Sequence, residues 1–144
     1  MANQYSVSLE SIIKEFSLEV VCGGETAEST MVESSDINRP GLQFAGYYDY
    51  YDCKRIQLLG MNEINYLTEL PCEEQDKRLD EFFSTKPIAT VVARSLNIPD
   101  MFREKAEKYA VPLLRTAQET SAFSAALISF LKVRLAPRIT RHGV

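Results

Sequence analysis

The chain has 144 residues, of which 45% are apolar and 25% charged, and its formal net charge at pH 7 is −4. This length fits one domain with a real hydrophobic core, and the composition is ordinary for a globular protein. The acidic balance argues against non-specific binding to DNA or RNA, and no apolar run approaches the roughly 18 residues of a membrane span.

The N-terminal segment and the cysteines are informative about the cellular compartment of the protein. MANQYSVSLESIIKEF has neither a basic region nor a continuous apolar stretch, so it does not predict a secretory signal. The three cysteines, Cys22, Cys53 and Cys72, form no CxxC pair, which favours reduced thiols in a cytoplasmic protein. With a single histidine in the sequence, we expect no metal site in this chain.

The first third of the chain predicts one helix and two strands. Ser8 is placed to cap a helix, and LEVVC (18–22) is typical of a short strand that Gly23 and Gly24 end. STMVES (29–34) predicts a second, more exposed strand. The helix carries one apolar stripe: Leu9, Ile12, Ile13 and Phe16.

DINRPG (36–41) predicts a turn. Pro40 presets its own φ, and Gly41 permits a backbone angle that other residues resist.

Three apolar segments predict the central strands: 55–59, 88–93 and 111–115. The segment 88–93 (IATVVA) is fully apolar, which is typical of a strand buried on both faces. Each of these strands is followed by a helical pattern, and such a succession indicates an α/β fold with a mainly parallel sheet.

The helix boundaries rest on local signals. Asn62 is expected to cap a helix that ends before Pro71, and Pro99 suits the first turn of a later helix, in which Glu104 and Lys108 would form an i,i+4 pair. An acidic helix between them would bury its apolar side chains: Leu79, Phe82 and Phe83.

The last helix has more apolar residues than one face holds. Thr116 and Glu119 predict a capping box, and ten of the fourteen residues 122–135 are apolar. We expect this helix to be buried on more than one side or to dock a partner.

Two short motifs are candidates for binding an anion. Gly23 and Gly24 follow a strand and could present backbone N–H groups, although a lone glycine pair favours a plain tight turn. Arg39 could bind a phosphate or carboxylate, but an ion pair with Asp36 inside the turn is the favoured interpretation.

Four tyrosines lie in five positions: Tyr47, Tyr48, Tyr50 and Tyr51. A stacking platform for nucleic-acid bases would need basic neighbours, whereas the neighbours here are Asp49 and Asp52. The spacing favours a packed corner in which one tyrosine pair faces inward and the other faces solvent or a protein partner.

The remaining polar residues point to no catalytic constellation. The sequence has no Gly-rich phosphate-binding loop ending in Gly-Lys-Ser/Thr, no GxGxxG after a strand and no GxSxG elbow. Glu73, Glu74 and Asp76 are interpreted as a solvated helix face, and His142 alone is typical of a chain terminus.

Several stretches, taken together and in order, resemble the N-terminal domain of HPr kinase/phosphorylase, a bifunctional bacterial enzyme. The matching stretches are LEVVCGGE (18–25), SSDINRPGLQFAGYYDYY (34–51), KRIQLLGMNEINYL (54–67), VPLLRT (111–116) and LAPRITRHGV (135–144).

The resemblance implies a small three-layer α/β/α-like domain over residues 1–135, similar to the UDP-binding domain of muramyl ligases. It implies that 136–144 lead toward a C-terminal kinase domain. That domain would bind ATP and Mg²⁺, phosphorylate a serine of the phosphocarrier HPr and remove the phosphate again, and the family's enzymes are generally cytoplasmic hexamers. His142 matches a family active-site histidine.

The sequence stops at Val144, before the P-loop that this reaction requires. The resemblance therefore implies a non-catalytic regulatory or assembly domain, with no cofactor of its own. The alternative is a stand-alone module that binds a phosphorylated or nucleotide-sugar ligand through Gly23, Gly24 and Arg39. We do not expect the 144 residues to be an active enzyme alone.

Overall fold

The computed structural model describes residues 5–137. Within that range, seven strands and six α-helices follow one another along the chain. The strands are β1 (Val7–Ser8), β2 (Glu19–Cys22), β3 (Met31–Val32), β4 (Ile37–Asn38), β5 (Ile56–Leu59), β6 (Thr90–Val92) and β7 (Leu113–Arg115). The helices are α1 (Leu9–Phe16), α2 (Gly41–Phe44), α3 (Met61–Thr68), α4 (Cys72–Ser84), α5 (Asp100–Lys108) and α6 (Thr120–Leu135).

Five strands form one mixed sheet in the order β2-β7-β6-β5-β4. The four strands from β4 to β7 are parallel neighbours, while β2 pairs antiparallel with β7 at one edge. The expected α/β fold with a mainly parallel sheet is therefore confirmed, with an antiparallel edge strand added. β1 and β3 form a separate two-stranded antiparallel ribbon.

The central strands are buried on both faces. Side chains alternate between two cores: Leu58, Val91 and Leu114 lie in one, and Leu59, Val92 and Leu113 lie in the other. Helices α1 and α6 cover the first face, and helices α2 to α5 contribute side chains to the second. The prediction of a doubly buried strand is confirmed for residues 89–93, all of which are buried.

Helix α6 buries one stripe: Phe123, Leu127 and Leu131. Phe130 and Leu135 are partly buried against the same core, and Phe130 meets Phe16 edge-to-face at 5.5 Å between ring centroids. The outward side carries alanines, Ala122, Ala125 and Ala126, and the 75% exposed Val133. Small residues on the exposed side thus account for much of the apolar excess that the sequence shows.

The predicted cap at Ser8 is confirmed, since its Oγ accepts a hydrogen bond from the N–H of Ser11 at 3.1 Å. The cap at Asn62 is wrong: α3 begins at Met61, and its N-cap is Gly60, whose N–H donates to Glu63 Oε1 at 2.7 Å. A glycine has no capping side chain, so the carboxylate of the first helical turn reaches back to the backbone instead.

The capping box at Thr116 and Glu119 is also wrong, because α6 begins later, at Thr120. Glu119 is the N-cap and makes no side-chain cap within the part of the chain described. Thr116 is buried, and its Oγ1 accepts from the N–H of Gln118 at 3.2 Å. The hydroxyl therefore stabilises the loop that precedes the helix.

The predicted turn at 36–41 is instead a strand that leads into a short helix. Ile37 and Asn38 pair with β5, and α2 starts at Gly41, which has no left-handed φ. The favoured ion pair between Asp36 and Arg39 is wrong as well. Alternate residues of the extended backbone point in different directions, so each side chain meets a different partner.

Helices α4 and α5 are joined by ion pairs around Asp80. Its carboxylate accepts from Lys105 Nζ at 3.0 Å, Lys108 Nζ at 2.8 Å and Tyr109 Oη at 2.9 Å. The expected pair between Glu104 and Lys108 is wrong, because Lys108 reaches across to α4. The acidic helix face is likewise only partly solvated: Asp76 pairs with Lys105 at 2.9 Å, and Glu74 with Arg78 at 2.7 Å, while Glu73 is exposed.

Gly23 is required by close backbone packing. Its φ is +79°, and a Cβ at this position would lie 2.8 Å from Pro112 Cα and 2.9 Å from Val111 O. The end of β2 can approach the start of β7 only because position 23 has no side chain.

We predict that Asp80→Asn destabilises the protein in a pH-dependent way. The hydrogen bonds from Lys108, Lys105 and Tyr109 hold the pKa of Asp80 well below its ordinary value of 3.8. A depressed carboxyl pKa stabilises the fold above the unfolded value and loses this effect as the pH falls through the folded value. Because the side chain is about one-third exposed, we expect a melting temperature lower by only about 2–4 °C at pH 7, and a smaller difference below pH of about 3.

Thermal unfolding of both proteins at pH 7 and pH 2.5 measures this effect. Asp49→Asn is the control, since it removes the same charge at an exposed position outside this network. An equal loss of stability in the two variants, or a difference that persists unchanged at pH 2.5, would contradict the prediction.

We predict that Gly23→Ala lowers the free energy of unfolding by about 1–3 kcal/mol, because it combines a left-handed φ with a backbone collision. Gly41→Ala is the matched control: its Cβ would meet no atom within 4 Å, so its effect should stay within about 1 kcal/mol. Urea unfolding of the three proteins gives the comparison. Equal stabilities for Gly23→Ala and the parent would refute the packing role of Gly23.

Candidate functional site

The topology gathers the carboxyl ends of four strands at one edge of the sheet, since β4 to β7 are parallel neighbours. Helix α5 follows β6 and packs on one face, whereas α6 follows the neighbouring strand β7 and packs on the opposite face. Connections that leave neighbouring strand ends toward opposite faces open a crevice, and this is where open α/β sheets commonly bind ligands.

A cleft of about 340 Å³ lies at this edge. Every segment that leaves the carboxyl end of a parallel strand contributes to its lining. The lining residues are Arg39, Met61, Asn62, Arg94, Glu119, Thr120 and Ser121. Six of these seven side chains are polar or charged, so the cleft suits a polar ligand.

Arg39 is held by a buried carboxylate. Its Nη2 donates to Glu63 Oε1 at 2.8 Å, and the same oxygen accepts from the N–H of Gly60. The Glu63 side chain is 8% exposed, whereas that of Arg39 is 43% exposed. The carboxylate therefore fixes one corner of the guanidinium and leaves the rest of this five-donor group toward solvent.

Arg94 follows β6 and is the second cation of the cleft. Its backbone is left-handed, with φ 61°, as is that of Ser95 with φ 50°. The N–H of Arg94 donates to Gln118 O at 2.8 Å and that of Ser95 donates to Thr116 O at 2.9 Å, which ties this loop to the one before α6. The Arg94 side chain is exposed and forms no ion pair with any residue in the range 5–137.

The first turns of α3 and α6 meet at the same place. A Cβ on Gly60 would lie 2.7 Å from Thr120 Oγ1 and 3.0 Å from Arg39 Nη2. Glycine at position 60 thus lets the two helix starts and Arg39 come together. N-terminal N–H groups of a helix have no intrahelical acceptor, and they carry a positive partial charge.

Gly23 and Gly24 lie elsewhere, beside a larger open pocket of about 780 Å³ between the end of β2 and α5. Glu25 and Glu107 line it, and their charges, after burial itself, raise the pKa of the Cys22 thiol. Negative charges at this pocket disfavour an anionic ligand, and the geometry of Gly23 agrees with the tight turn.

The four tyrosines form two pairs, as their spacing predicts. Tyr48 and Tyr51 face inward with ring centroids 5.3 Å apart, whereas Tyr47 and Tyr50 are 44% and 86% exposed. Tyr51 Oη lies 2.8 Å from Thr85 Oγ1, and burial raises the pKa of Tyr51 to about 12. Burial also raises the pKa of Tyr48.

A row of amide side chains, of which Gln43 and Gln57 are buried and Asn38 is partly buried, supports this corner. Asn38 Nδ2 donates to Gln57 Oε1 at 2.6 Å and to Gln43 Oε1 at 2.9 Å, and Gln43 Nε2 donates to Tyr47 O at 3.1 Å. The loop that carries the tyrosines is therefore fixed to the sheet.

The structure separates the predicted site residues. Arg39 lies in the cleft, the glycines line the other pocket, and Asp36 lies 3.8 Å from Arg55 at the opposite end of β4. His142 falls outside the described residues. Sequence reasoning missed Arg94, although its position directly after a doubly buried strand was a usable signal; it also missed Glu63 and Ser121.

No group of three or more His, Cys, Asp or Glu side chains within 5–137 is arranged to hold a metal ion. None of the helices described there has the combined length and hydropathy needed to cross a membrane.

Comparison with known proteins identifies relatives over nearly the whole chain. The family model described as HPr Serine kinase N terminus matches residues 7–131. The HPr kinase/phosphorylase of Caldanaerobacter subterraneus subsp. tengcongensis is 40% identical over 137 residues, which are 95% of this chain and 45% of that protein. The HPr kinase/phosphorylase of Bacillus subtilis is 36% identical over 138 residues, 96% of this chain and 44% of that protein.

A solved structure shares the fold at low identity. It contains the CBS and DRTGG domains of the regulatory region of Clostridium perfringens pyrophosphatase, complexed with the activator diadenosine tetraphosphate. The TM-score is 0.55 at 15% sequence identity, over 90% of this chain and 50% of that one.

The chain spans less than half the length of the two curated relatives, and the family model covers most of it. The chain belongs to the family of HPr serine kinase N-terminal domains.

Proposed function

We propose that this chain is the non-catalytic regulatory and assembly domain of a bifunctional HPr serine kinase/phosphorylase. The observation that carries the proposal is the match itself: identities of 36–40% extend over at least 95% of this chain but less than half of each relative. The domain would thus act as one part of a longer enzyme.

In the whole protein, the reaction would be phosphorylation of a serine of HPr with ATP and Mg²⁺, and removal of that phosphate with inorganic phosphate, in carbon catabolite control. The nucleotide and the metal would bind outside these 144 residues, whose sequence contains no P-loop. Residues 1–135 would form the domain, and 136–144 would lead to the catalytic part, where His142 would act beside the transferred phosphate.

The proposed fold relationship is with the UDP-binding domain of muramyl ligases. The consecutive order of the parallel strands and the helices on both faces of the sheet support it. The proposed compartment is the cytoplasm, and the proposed assembly is a homo-oligomer, a hexamer in the intact enzyme.

The surface that best fits an assembly role is the tyrosine corner, which comprises Tyr47, Tyr48, Tyr50 and Tyr51 together with Leu42, whose carbonyl accepts from the N–H of Tyr47. Tyr50 and Leu42 are 86% and 62% exposed, and Tyr47 is 44% exposed. Exposed aromatic and aliphatic side chains on a rigid support are typical of interface anchors. The amide row through Asn38 and Gln43 supplies that support.

If catalysis takes place outside this chain, the chain alone should be inactive but should support activity when it is joined to the catalytic part of a relative. Two proteins are assayed for transfer of phosphate from ATP to HPr: the 144-residue chain, and a chimaera in which it replaces the matched segment of the Bacillus subtilis enzyme. We expect no transfer by the chain alone, and transfer by the chimaera within about tenfold of the parent rate, since each domain keeps its own core.

Phosphorylation of HPr by the chain alone would overturn the non-catalytic assignment. A chimaera that folds and assembles like the parent but transfers no phosphate would contradict the proposal that this chain serves as the N-terminal domain of an active enzyme. Parent enzyme with a P-loop substitution is the negative control for the assay.

The assembly role predicts that the chain self-associates through the tyrosine corner. Sedimentation velocity over a range of concentrations should show an oligomer that Leu42→Ser with Tyr50→Ser weakens at least about tenfold, because both anchors lose apolar contact. Tyr66→Ser is the control, as Tyr66 is 42% exposed on α3. A parent chain that stays monomeric at high concentration, or equal weakening by the control, would contradict this role.

A further inference from the structure

We propose that the groove between β2 and α5 docks an extended basic segment of another protein, which pairs with the free edge of β2 as a sixth strand of the sheet. A lysine or arginine of that segment lies in the groove. This inference concerns a second region of the domain and does not rest on the proposed function. It depends on three features: an unpaired strand edge, an apolar groove beside that edge, and two carboxylates without a counter-charge.

Strand β2 has backbone groups available along one edge. Among the described strands it pairs with β7 alone, and no other backbone hydrogen bond joins residues 19–22 to the rest of 5–137. An unpaired edge presents a row of N–H and C=O groups, and an extended peptide can bind to them as an added strand. β2 therefore offers main-chain hydrogen bonds to a partner.

The sequence of β2 does little to block this edge. Edge strands are commonly protected by lysine or proline, and EVVC (19–22) contains neither. Its one charged residue, Glu19, is held by two hydrogen bonds from Arg115, at 2.9 and 2.8 Å, whereas Val20 is 44% exposed. A register shift between Val20 and Cys22 limits the regular ladder to a few residues, so the docked segment is short.

The groove beside β2 suits a long basic side chain. Val21, Ala106 and Ala110 line its apolar part, and Glu25 and Glu107 are exposed beside them. Lysine and arginine pack their methylene stems on apolar surface while their charged heads stay in a polar environment. The volume of the groove, about 780 Å³, is ample for such a side chain, and the two small alanines leave room for its stem.

The two carboxylates of the groove lack a counter-charge. Neither Glu25 nor Glu107 forms an ion pair within 5–137, whereas all three cations of α5 are engaged by aspartates of α4 or of α5 itself. Burial, and after it the charges of Glu107 and Glu25, raise the pKa of the Cys22 thiol, and the opposite effect of Arg103 is smaller. The groove therefore has a negative potential, which attracts a basic segment and repels an acidic one.

The same charges argue against a second copy of this chain as the occupant. Pairing of β2 with β2 of another copy would bring two acidic grooves together, and each chain carries a net charge of −4. Like charges across an interface lower affinity, whereas complementary charges raise the association rate and the specificity. A basic segment of a different protein is the occupant that fits.

The test is a titration of the 144-residue chain with three blocked seven-residue peptides. The first alternates valine and lysine, the second has glutamate in place of lysine, and the third is the first with N-methyl groups on its internal residues. N-methylation keeps the charges but removes the backbone donors. We expect saturable binding of the first peptide by fluorescence anisotropy, slower amide hydrogen exchange at residues 19–22, and binding of the other two that is at least about tenfold weaker.

Two double variants locate the charges that matter. Glu25→Gln with Glu107→Gln should weaken binding of the valine–lysine peptide about fivefold or more, because two charge pairs are lost. Glu69→Gln with Glu73→Gln is the matched control, since it removes two exposed glutamate charges outside the groove and should change binding by less than about twofold. The peptide comparison uses the parent chain, so it tests the proposal even if a variant fails to fold.

Four outcomes would overturn the proposal. Absence of saturable binding would refute the site, and equal binding of the N-methylated peptide would refute the added strand. Equal binding of the glutamate peptide, or equal weakening by the control pair, would refute the role of the two glutamates. Protection of residues 19–22 that rises with protein concentration in the absence of peptide would identify a second copy of the chain as the occupant.

Discussion

The burial of β5, β6 and β7 on both faces is the constraint on which the rest of the structure depends. A strand such as β5, in which every residue from Ile56 to Leu59 is buried, cannot lie at a surface and must be covered twice. Parallel neighbours need crossover connections, and these supply the helices that cover one face. Helix α6, which follows the last parallel strand, covers the other face with α1.

The same constraint locates the cleft. When parallel strands lie side by side, their carboxyl ends share an edge, and the first residues after them become neighbours whatever their distance in sequence. Arg39 and Arg94 lie far apart in the sequence, yet each directly follows a strand of this sheet, β4 and β6 respectively. Helices α3 and α6 pack on opposite faces of the sheet, and residues of their first turns line the cleft.

Burial on both faces also makes polar side chains in the sheet costly unless they are paired. Gln57 is fully buried in β5, and its Nε2 donates to Arg55 O at 2.9 Å while its Oε1 accepts from Asn38. Thr90 is fully buried in β6, and its Oγ1 donates to Pro112 O at 2.7 Å. The hydrogen bonds of Gln57 continue through Asn38 and Gln43 to the carbonyl of Tyr47. They therefore connect the core of the sheet to the tyrosine corner.

Sequence reasoning succeeded where local physics determines the outcome. The strands at 55–59, 88–93 and 111–115, the cap at Ser8 and the inward and outward tyrosine pairs all depend on patterns within a few residues. The failures involve partners remote in sequence: Arg39 meets Glu63, and Lys108 meets Asp80. Local spacing suggested nearer partners for both, and only the fold reveals the ones chosen.

The two pockets show why net charge predicts little about a binding site. The chain is acidic overall at −4, and the larger pocket, with Glu25 and Glu107, follows that bulk property. The smaller cleft has both signs, because Glu63 and Glu119 accompany its two arginines. Glu63, however, is buried, is not among the lining residues, and accepts hydrogen bonds from Arg39 and from the N–H of Gly60, so its charge orients the cation. What an arriving anion meets is therefore the arrangement of charges at the strand ends, which composition does not encode.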